Sequence, residues 1–292
     1  MFEKIFKKAS KTYFYSSLLF PKDTRDKVSR LYAFVRRADD YVDNMPQRAD
    51  LFEAFYETWK NLKSGGNSVL LPENDSQDLE IILSFIELEK SENFDHNWTI
   101  AFFDSMRMDT NKNQKYELEV DTKQYIYGSA GIIGLFMCQI MKIGPRHWQS
   151  AIDLGFAFQY INFIRDIAED NTLSRCYFPR FDLDMHNLTN LSRESCLNNP
   201  VDFKKFINSQ IEIYRSYLKK ASPGIDSLPL KFKIAIKSAT RLYNWSGGKI
   251  AKNPNIVFTK KMKPGMFTIF ITFVIVLFAE TAKSILKFKK KI

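Results

Sequence analysis

The stretch RRADDYVDN, Arg36 to Asn44, places Asp39, Asp40 and Asp43 close together just after two arginines. On a helix, Asp39 and Asp43 share one face four residues apart, where like charges repel. A chain tolerates that when the face meets bulk water or when something strongly positive sits between the acids. A second stretch, NFIRDIAED from Asn162 to Asp170, repeats the arrangement with Asp166 and Asp170, Glu169 between them and Arg165 just before. Either pair alone reads as a solvated surface. Together they weigh differently, because Tyr32, Val35 and Val42 surround the first and Phe158, Ile161 and Ile167 the second. Acids set into apolar helices are costly unless paired or bound to metal. Oxygen donors without His or Cys suit Mg²⁺, which takes one or two carboxylates plus substrate phosphates. Two facing aspartate pairs would hold metal ions against a diphosphate, with arginines on its remaining oxygens.

The elements that must position these residues read as helices. The chain has 292 residues, 26 of them Phe and 13 Tyr, but only 10 Pro and 11 Gly, a balance that favours helices over a sandwich or barrel. No Asn-Gly or Asp-Gly hairpin signal occurs. Val28, Leu31, Tyr32 and Val35 fall at helical spacing, which predicts a helix over 22–43, started by Asp23 or Thr24 and ended by Pro46. Further helices are expected at 48–63, 76–90, 95–107, 121–141, 146–170, 201–221 and 229–252, with a turn at 64–68 and loops at 109–120 and 176–180. Gly128, Gly131 and Gly134 interrupt YIYGSAGIIGLF, at about 1 kcal/mol each relative to Ala. They mark either close helix packing or a kink and smooth wall beside a ligand. No repeat and no linker divides residues 1–263.

The net charge is +10, which fits a nucleic acid, an anionic membrane or an anionic substrate. A nucleic-acid binder needs a clustered basic face with base-reading side chains. Here the lysines gather at the ends (Lys4, Lys7, Lys8, Lys11; Lys260, Lys261, Lys263 and 287–291), and mid-chain arginines neighbour aspartates, so nucleic acid ranks last. Cys138, Cys176, Cys196 and the three histidines lack metal-ligand spacing or a disulfide pattern, consistent with a reducing cytosol. MFEKIFKKASKTYFY has no uninterrupted apolar core of a signal peptide. Near the end, MFTIFITFVIVLFA (266–279) is apolar but shorter than the roughly 20 residues of a membrane span. Three readings compete: a final helix packed on the core, a helix in the membrane surface helped by the terminal KFKKK, and a strained span.

Several of these stretches resemble the squalene/phytoene synthase family of head-to-head prenyltransferases. LYAFVRRADDYVD is similar to its first aspartate-rich motif and FAFQYINFIRDIAED to its second. YIYGSAGIIG resembles the small-residue helix between them, RCYFP the loop that follows, and ASKTYFYSSLLFP the N-terminal substrate loop. The resemblance implies an all-α isoprenoid-synthase bundle around a central apolar cavity, with a catalytic domain at 1–263 and an apolar, then basic, tail at 264–292. It implies 1′–1 condensation of two prenyl diphosphates through a cyclopropylmethyl diphosphate, with Mg²⁺ or, in its place, Mn²⁺. It assigns Asp39, Asp43, Asp166, Asp170 and Asn162 to metal, and Ser10, Lys11, Thr12, Tyr32, Arg36, Gln159 and Arg165 to diphosphate. Tyr125, Tyr177 and Tyr243 would line the cavity or its phosphate end, Tyr125 in a catalytic role. Asp40 and Glu169 are expected beside the site or toward solvent. Two departures stand out: Ala9 occupies a position that often carries His, and Lys260 or Lys261 replaces an arginine that commonly touches phosphate. SMRMDTNKNQKY and YGSAGIIGL resemble the phytoene-forming branch, which implies two geranylgeranyl diphosphates and carotenoid biosynthesis. Squalene or dehydrosqualene formation from farnesyl diphosphate is the alternative, with NADPH only for squalene. A non-catalytic, family-like assembly factor is a further one, disfavoured because all four aspartates are intact. So insoluble a product implies work at the cytoplasmic face of a membrane.

Overall fold

Few helix breakers and many long apolar side chains give fourteen α-helices and no strand among the described residues. The computed structural model describes residues 1–72, 75–111 and 114–289, with the side chains of residues 11, 12 and 287–289 left aside. The N-terminal helices are α1 (Phe2–Ala9), α2 (Lys11–Ser17) and α3 (Lys22–Asp43), followed by α4 (Ala49–Lys63), α5 (Ser76–Glu92) and α6 (His96–Met108). Then come α7 (Glu119–Ile126), α8 (Ile132–Ile140), α9 (Trp148–Thr172), α10 (Arg180–Met185) and α11 (Arg193–Asn198). The chain closes with α12 (Pro200–Ser227), α13 (Leu230–Lys252) and α14 (Met266–Lys289).

Helix α9 is the central strut, packed by α7, α8, α12 and α13. Two apolar cores form around the bundle. One centres on Phe34, stacked on Phe85 with ring centroids 3.7 Å apart, and draws on α3, α4, α5, α6 and α8. The other joins Tyr160 and Phe163 of α9 to Phe203, Phe206 and Tyr214 of α12. Residues of both cores line one cavity, onto which the last turns of α3 and α9 open.

Several local details differ from the pattern expected. Helix α3 starts after Pro21 with no side-chain cap; Asp23 instead accepts from Lys27 Nζ at 2.6 Å, and Thr24 is buried. Ser10 to Thr12 is not a loop: Ser10 caps α2, its hydroxyl accepting from the Tyr13 amide. The loop after α6 ends at Leu118, because the Asp121 carboxylate accepts from the amides of Glu117 and Leu118 and starts α7. The helix expected over 121–141 is broken by a π-turn at Tyr127–Gly131. Its glycines serve close packing as well. A Cβ on Gly128 would lie 2.2 Å from the Ala101 carbonyl oxygen, and one on Gly134 would lie 2.4 Å from that of Ala151. Helix α12 continues through Pro223 to Ser227, past the expected end at 221.

Helix α14 packs along α13 with Ile269, Thr272, Val276 and Glu280 buried. Glu280 lies inside the helix, where Lys237 of α13 donates to its carboxylate at 3.0 Å and Lys283 at 2.9 Å. By length and composition alone, Met266–Leu286 suffices to cross a membrane.

Candidate active site

The last turns of α3 present Arg36, Asp39, Asp40 and Asp43, and the last turns of α9 present Asn162, Arg165, Asp166, Glu169 and Asp170. All of them line one cavity of about 1380 Å³. Ser10, Tyr32, Tyr125, Gln159, Tyr177 and Tyr243 line it too, so the structure brings together nearly every residue singled out in the sequence. Lys260 is exposed and outside it; Lys261 and Lys263 take the rim instead. The side chains of Lys11 and Thr12 lie outside the described residues.

Three arginines pair with four of these acids. Arg36 donates to Asp39 at 2.6 Å and also pairs with Asp40. Arg165 forks onto Asp166 at 2.9 and 2.5 Å. Arg175 donates to Asp43 at 2.6 Å. Arg37 turns away to the buried Asp78, which also accepts from Tyr41.

These pairings do not neutralise the acids. Burial and the charge of Asp43 push Asp39 up to about 8, against the pull of Arg36. Its side chain is 31% exposed, and that surface opens on the cavity. Asp170 is pushed well above the carboxylate range by burial and then by the charges of Asp166 and Asp43. Asp43 belongs to the opposite motif, so the two motifs feel each other across the cavity. Beside Asp166, the Asn162 side-chain oxygen is buried with no hydrogen-bond partner.

These features fit a hard divalent cation: oxygen donors only, acids crowded enough to hold protons, and an orphaned acceptor oxygen. Among the described residues no three acids or histidines converge closely enough to hold an ion by themselves. A cation here would therefore complete its shell with oxygens of a ligand.

The residues that pattern-reading passed over form the next layer. Asp109, at the start of the expected loop, accepts from the hydroxyls of Tyr125 at 2.6 Å and Tyr177 at 2.8 Å. Burial pushes its carboxyl up to about 6, against the opposing charge of Arg175. Arg175 also donates to the carbonyls of Val42 at 2.6 Å and Asp109 at 3.0 Å, tying the first motif to the loops. Burial keeps the Tyr125 and Tyr177 hydroxyls protonated, so both act as donors. Tyr177 stacks on Phe163 at 4.5 Å and lies 4.8 Å from the Tyr125 ring, making an aromatic wall. On the other side, Tyr13 and Tyr243 share a hydroxyl contact of 2.6 Å. Asp40 and Glu169 sit at the rim, paired with Arg36 and Lys261. Lys4, Lys8, Lys261 and Lys263 make that rim basic. Burial and the neighbouring Lys261 and Arg165 charges lower the Lys263 ammonium.

A family model described as Squalene/phytoene synthase matches residues 6–268. A 15-cis-phytoene synthase from Enterobacter agglomerans is 30% identical over 253 residues, covering 83% of this chain and 82% of the relative. A 15-cis-phytoene synthase from Synechococcus elongatus is 27% identical over 271 residues, covering 86% and 83%. Among solved structures, a dehydrosqualene synthase superposes with a TM-score of 0.79 at 21% identity, over 98% of this chain and 95% of that one. A squalene synthase from Alicyclobacillus acidocaldarius follows at 0.69 and 17% identity, over 90% and 94%. These two likenesses bear on the all-α fold.

Proposed function

The chain belongs to the squalene/phytoene synthase family and is an enzyme of its prenyltransferase type, and from that premise we propose that it joins two geranylgeranyl diphosphates 1′–1 into phytoene. The reaction would release diphosphate by way of a cyclopropylmethyl diphosphate and feed carotenoid synthesis. The observation that carries the reading is the single cavity onto which both aspartate motifs, their arginines and an aromatic wall open. The names of the sequence relatives support geranylgeranyl diphosphate as the substrate.

Residues 1–263 act as the catalytic unit, and the first turn of the tail adds to its wall. Asp39, Asp43, Asp166, Asp170 and Asn162 would hold Mg²⁺, or Mn²⁺ in its place. When bound, the metal would supply positive charge to the leaving diphosphate. The protein's own groups do the rest. Arg36, Arg165 and the rim lysines Lys261 and Lys263 bind the remaining phosphate oxygens and orient the allylic carbons inward. Ser10, Tyr32 and Gln159 contact the same diphosphates. The apolar wall excludes water that would quench an allylic cation, and the faces of Tyr125, Tyr177, Phe163 and Tyr243 steady positive charge. The Tyr125 hydroxyl donates to Asp109, which fixes its ring in the cavity wall. The protein works at the cytoplasmic face of a membrane, where a hydrocarbon product has a phase to enter.

The test is a product assay. Purified protein receives Mg²⁺ with geranylgeranyl diphosphate, or with farnesyl diphosphate with and without NADPH, and the extracted hydrocarbon is identified by mass. Phytoene from geranylgeranyl diphosphate alone is the expected result. A thirty-carbon product would replace the substrate while keeping the chemistry, with NADPH dependence separating squalene from dehydrosqualene. No hydrocarbon from any substrate would establish the non-catalytic alternative.

A further inference from the structure

Helix α14 is apolar on two opposite sides. One stripe (Ile269, Thr272, Val276, Glu280) is buried on α13. The other faces outward and carries Phe267, Phe270 and Phe278, which are 77%, 65% and 71% exposed, with Ile271, Ile275 and Ile285 between and beyond them. A helix that is hydrophobic all round belongs in a protein core or in lipid, and a contiguous exposed patch of this kind marks an interaction surface. We propose that α14 lies flat in an anionic membrane surface. Its phenylalanine stripe enters the acyl chains while its other stripe stays on α13, and this seats the cavity rim against lipid as the exit for a hydrocarbon product.

Three observations fix this orientation and occupant. First, the buried stripe rules out a span without dismantling the protein. To cross a bilayer α14 would leave α13 and take Glu280 away from Lys237, which also holds Asp226 at 2.6 Å on the protein body, and would carry Glu280 with its remaining partner Lys283 into hydrocarbon. Ionisable side chains in hydrocarbon are strongly disfavoured. Second, both ends of the stripe are basic: Lys260, Lys261 and Lys263 precede it, and Lys287, Lys289, Lys290 and Lys291 follow it in the sequence. Two copies stacked through this face in either direction would set lysines against lysines. Anionic headgroups neutralise both ends and leave the phenylalanines to the chains. Third, Pro264, Gly265, Met266 and Ile269 line the cavity, so the outward stripe begins at its rim. The exit role rests on the reading of the product given above; the flat docking does not.

The test uses the full chain without substrate, so that its failure is separate from any failure of the product reading. The protein is floated with vesicles of neutral lipid alone or with about a quarter anionic lipid. Wild type should float with the anionic vesicles and lose binding as salt rises. Phe267→Ser/Phe270→Ser/Phe278→Ser should bind at least about tenfold more weakly, with unchanged turnover on detergent-dispersed substrate. Should that variant fail to fold, single Phe267→Trp and Phe278→Trp variants read depth by quenching from brominated lipids, relative to wild type. Similar quenching at both positions by bromines near the headgroup is expected. Deep quenching at one of them means a span, and none at either means no insertion; both overturn the proposal. So does wild type that floats with neither vesicle, or a stable dimer in solution that the triple serine variant dissociates.

Discussion

Arg175→Met tests how the site is held together. The arginine is buried; it donates to the Asp43 carboxylate and to the carbonyls of Val42 and Asp109, and its Nε lies 3.8 Å from the Asp109 carboxylate. Methionine fills similar space with no donor. The two carbonyls keep a second donor, the Gln47 side-chain amide at 2.7 and 2.8 Å. The loss therefore falls on the carboxylates. Removing one partner of a buried ion pair costs about 3–5 kcal/mol. The pH dependence identifies which acid bears it. Asp109 stands at about 6 when folded, above its ordinary 3.8. A carboxyl raised in the folded state costs the fold stability as pH climbs from the unfolded value to the folded one, and nothing further beyond. In the native protein that decline is over near pH 6. Arg175 is the largest influence holding Asp109 down, so in the variant the folded value climbs further, and each added unit costs ~1.4 kcal/mol. Urea unfolding should show the gap between variant and native widening from about pH 5 to about pH 8. Asp109→Asn in the same background should recover part of it, with a coupling of about 1–3 kcal/mol. A gap equal at both pH values, together with additive single and double variants, would refute the reasoning.

Other predictions follow from the same geometry. Asp39→Asn and Asp166→Asn should each cut turnover to a few per cent or less while circular dichroism stays helical. Because Asp39 is pushed to about 8, its neutral replacement should also stabilise the metal-free fold at pH 8 by about 1–3 kcal/mol, seen in thermal melts, and abolish stabilisation by Mg²⁺. At pH 7 the same carboxyl is mostly protonated and Asp170 is held up beside it, so joint binding of Mg²⁺ and a diphosphate analogue should release at least about one proton, measured by calorimetry in two buffers of different ionisation enthalpy. No release would contradict a metal at Asp39. Gly134→Ala should cost more than about 2 kcal/mol, because its methyl meets the Ala151 carbonyl at 2.4 Å. Gly248→Ala, which meets nothing within 4 Å, should gain about 0.5–1 kcal/mol; chemical denaturation of both variants makes the comparison.

What was legible in the sequence is what repeats at helical spacing. Asp39 and Asp43, and Asp166 and Asp170, announce themselves because two acids one turn apart among Tyr, Val, Phe and Ile break the ordinary polar-outside rule. Their arginines are adjacent in sequence, so Arg36 and Arg165 came with them. Asp109 and Tyr13 have no such signature. Asp109 follows an apolar helix and opens a polar stretch, where an aspartate ordinarily serves as a turn residue. Only the fold shows that two tyrosine hydroxyls, one from α7 and one from the segment before α10, converge on it. Arg175 sat inside a recognised loop, yet its partner Asp43 lies 132 residues away. Of the two lysines the sequence offered, Lys261 and not Lys260 reaches the rim, with Lys263 beside it: the three look alike in a row, and the turn after Phe258 decides which of them face inward.

The electrostatics of the cavity also say in what order it fills. Asp39 and Asp170 are held up by burial and by neighbouring acids, so protons are the least costly counter-charge while the cavity is empty. The arginines cannot serve instead, because Arg36 and Arg165 each face a single motif and reach across to neither of the opposite acids. A divalent cation would exchange for those protons, but among the described residues no three acids converge to complete its shell. On the proposed function the missing oxygens would come from the diphosphate. Cation and diphosphate would then raise each other's affinity by the same factor, as linkage requires, and each would bind weakly alone. Such a site keeps its strongest field for the moment the allylic diphosphate is in place, when the surrounding aromatic wall already excludes water.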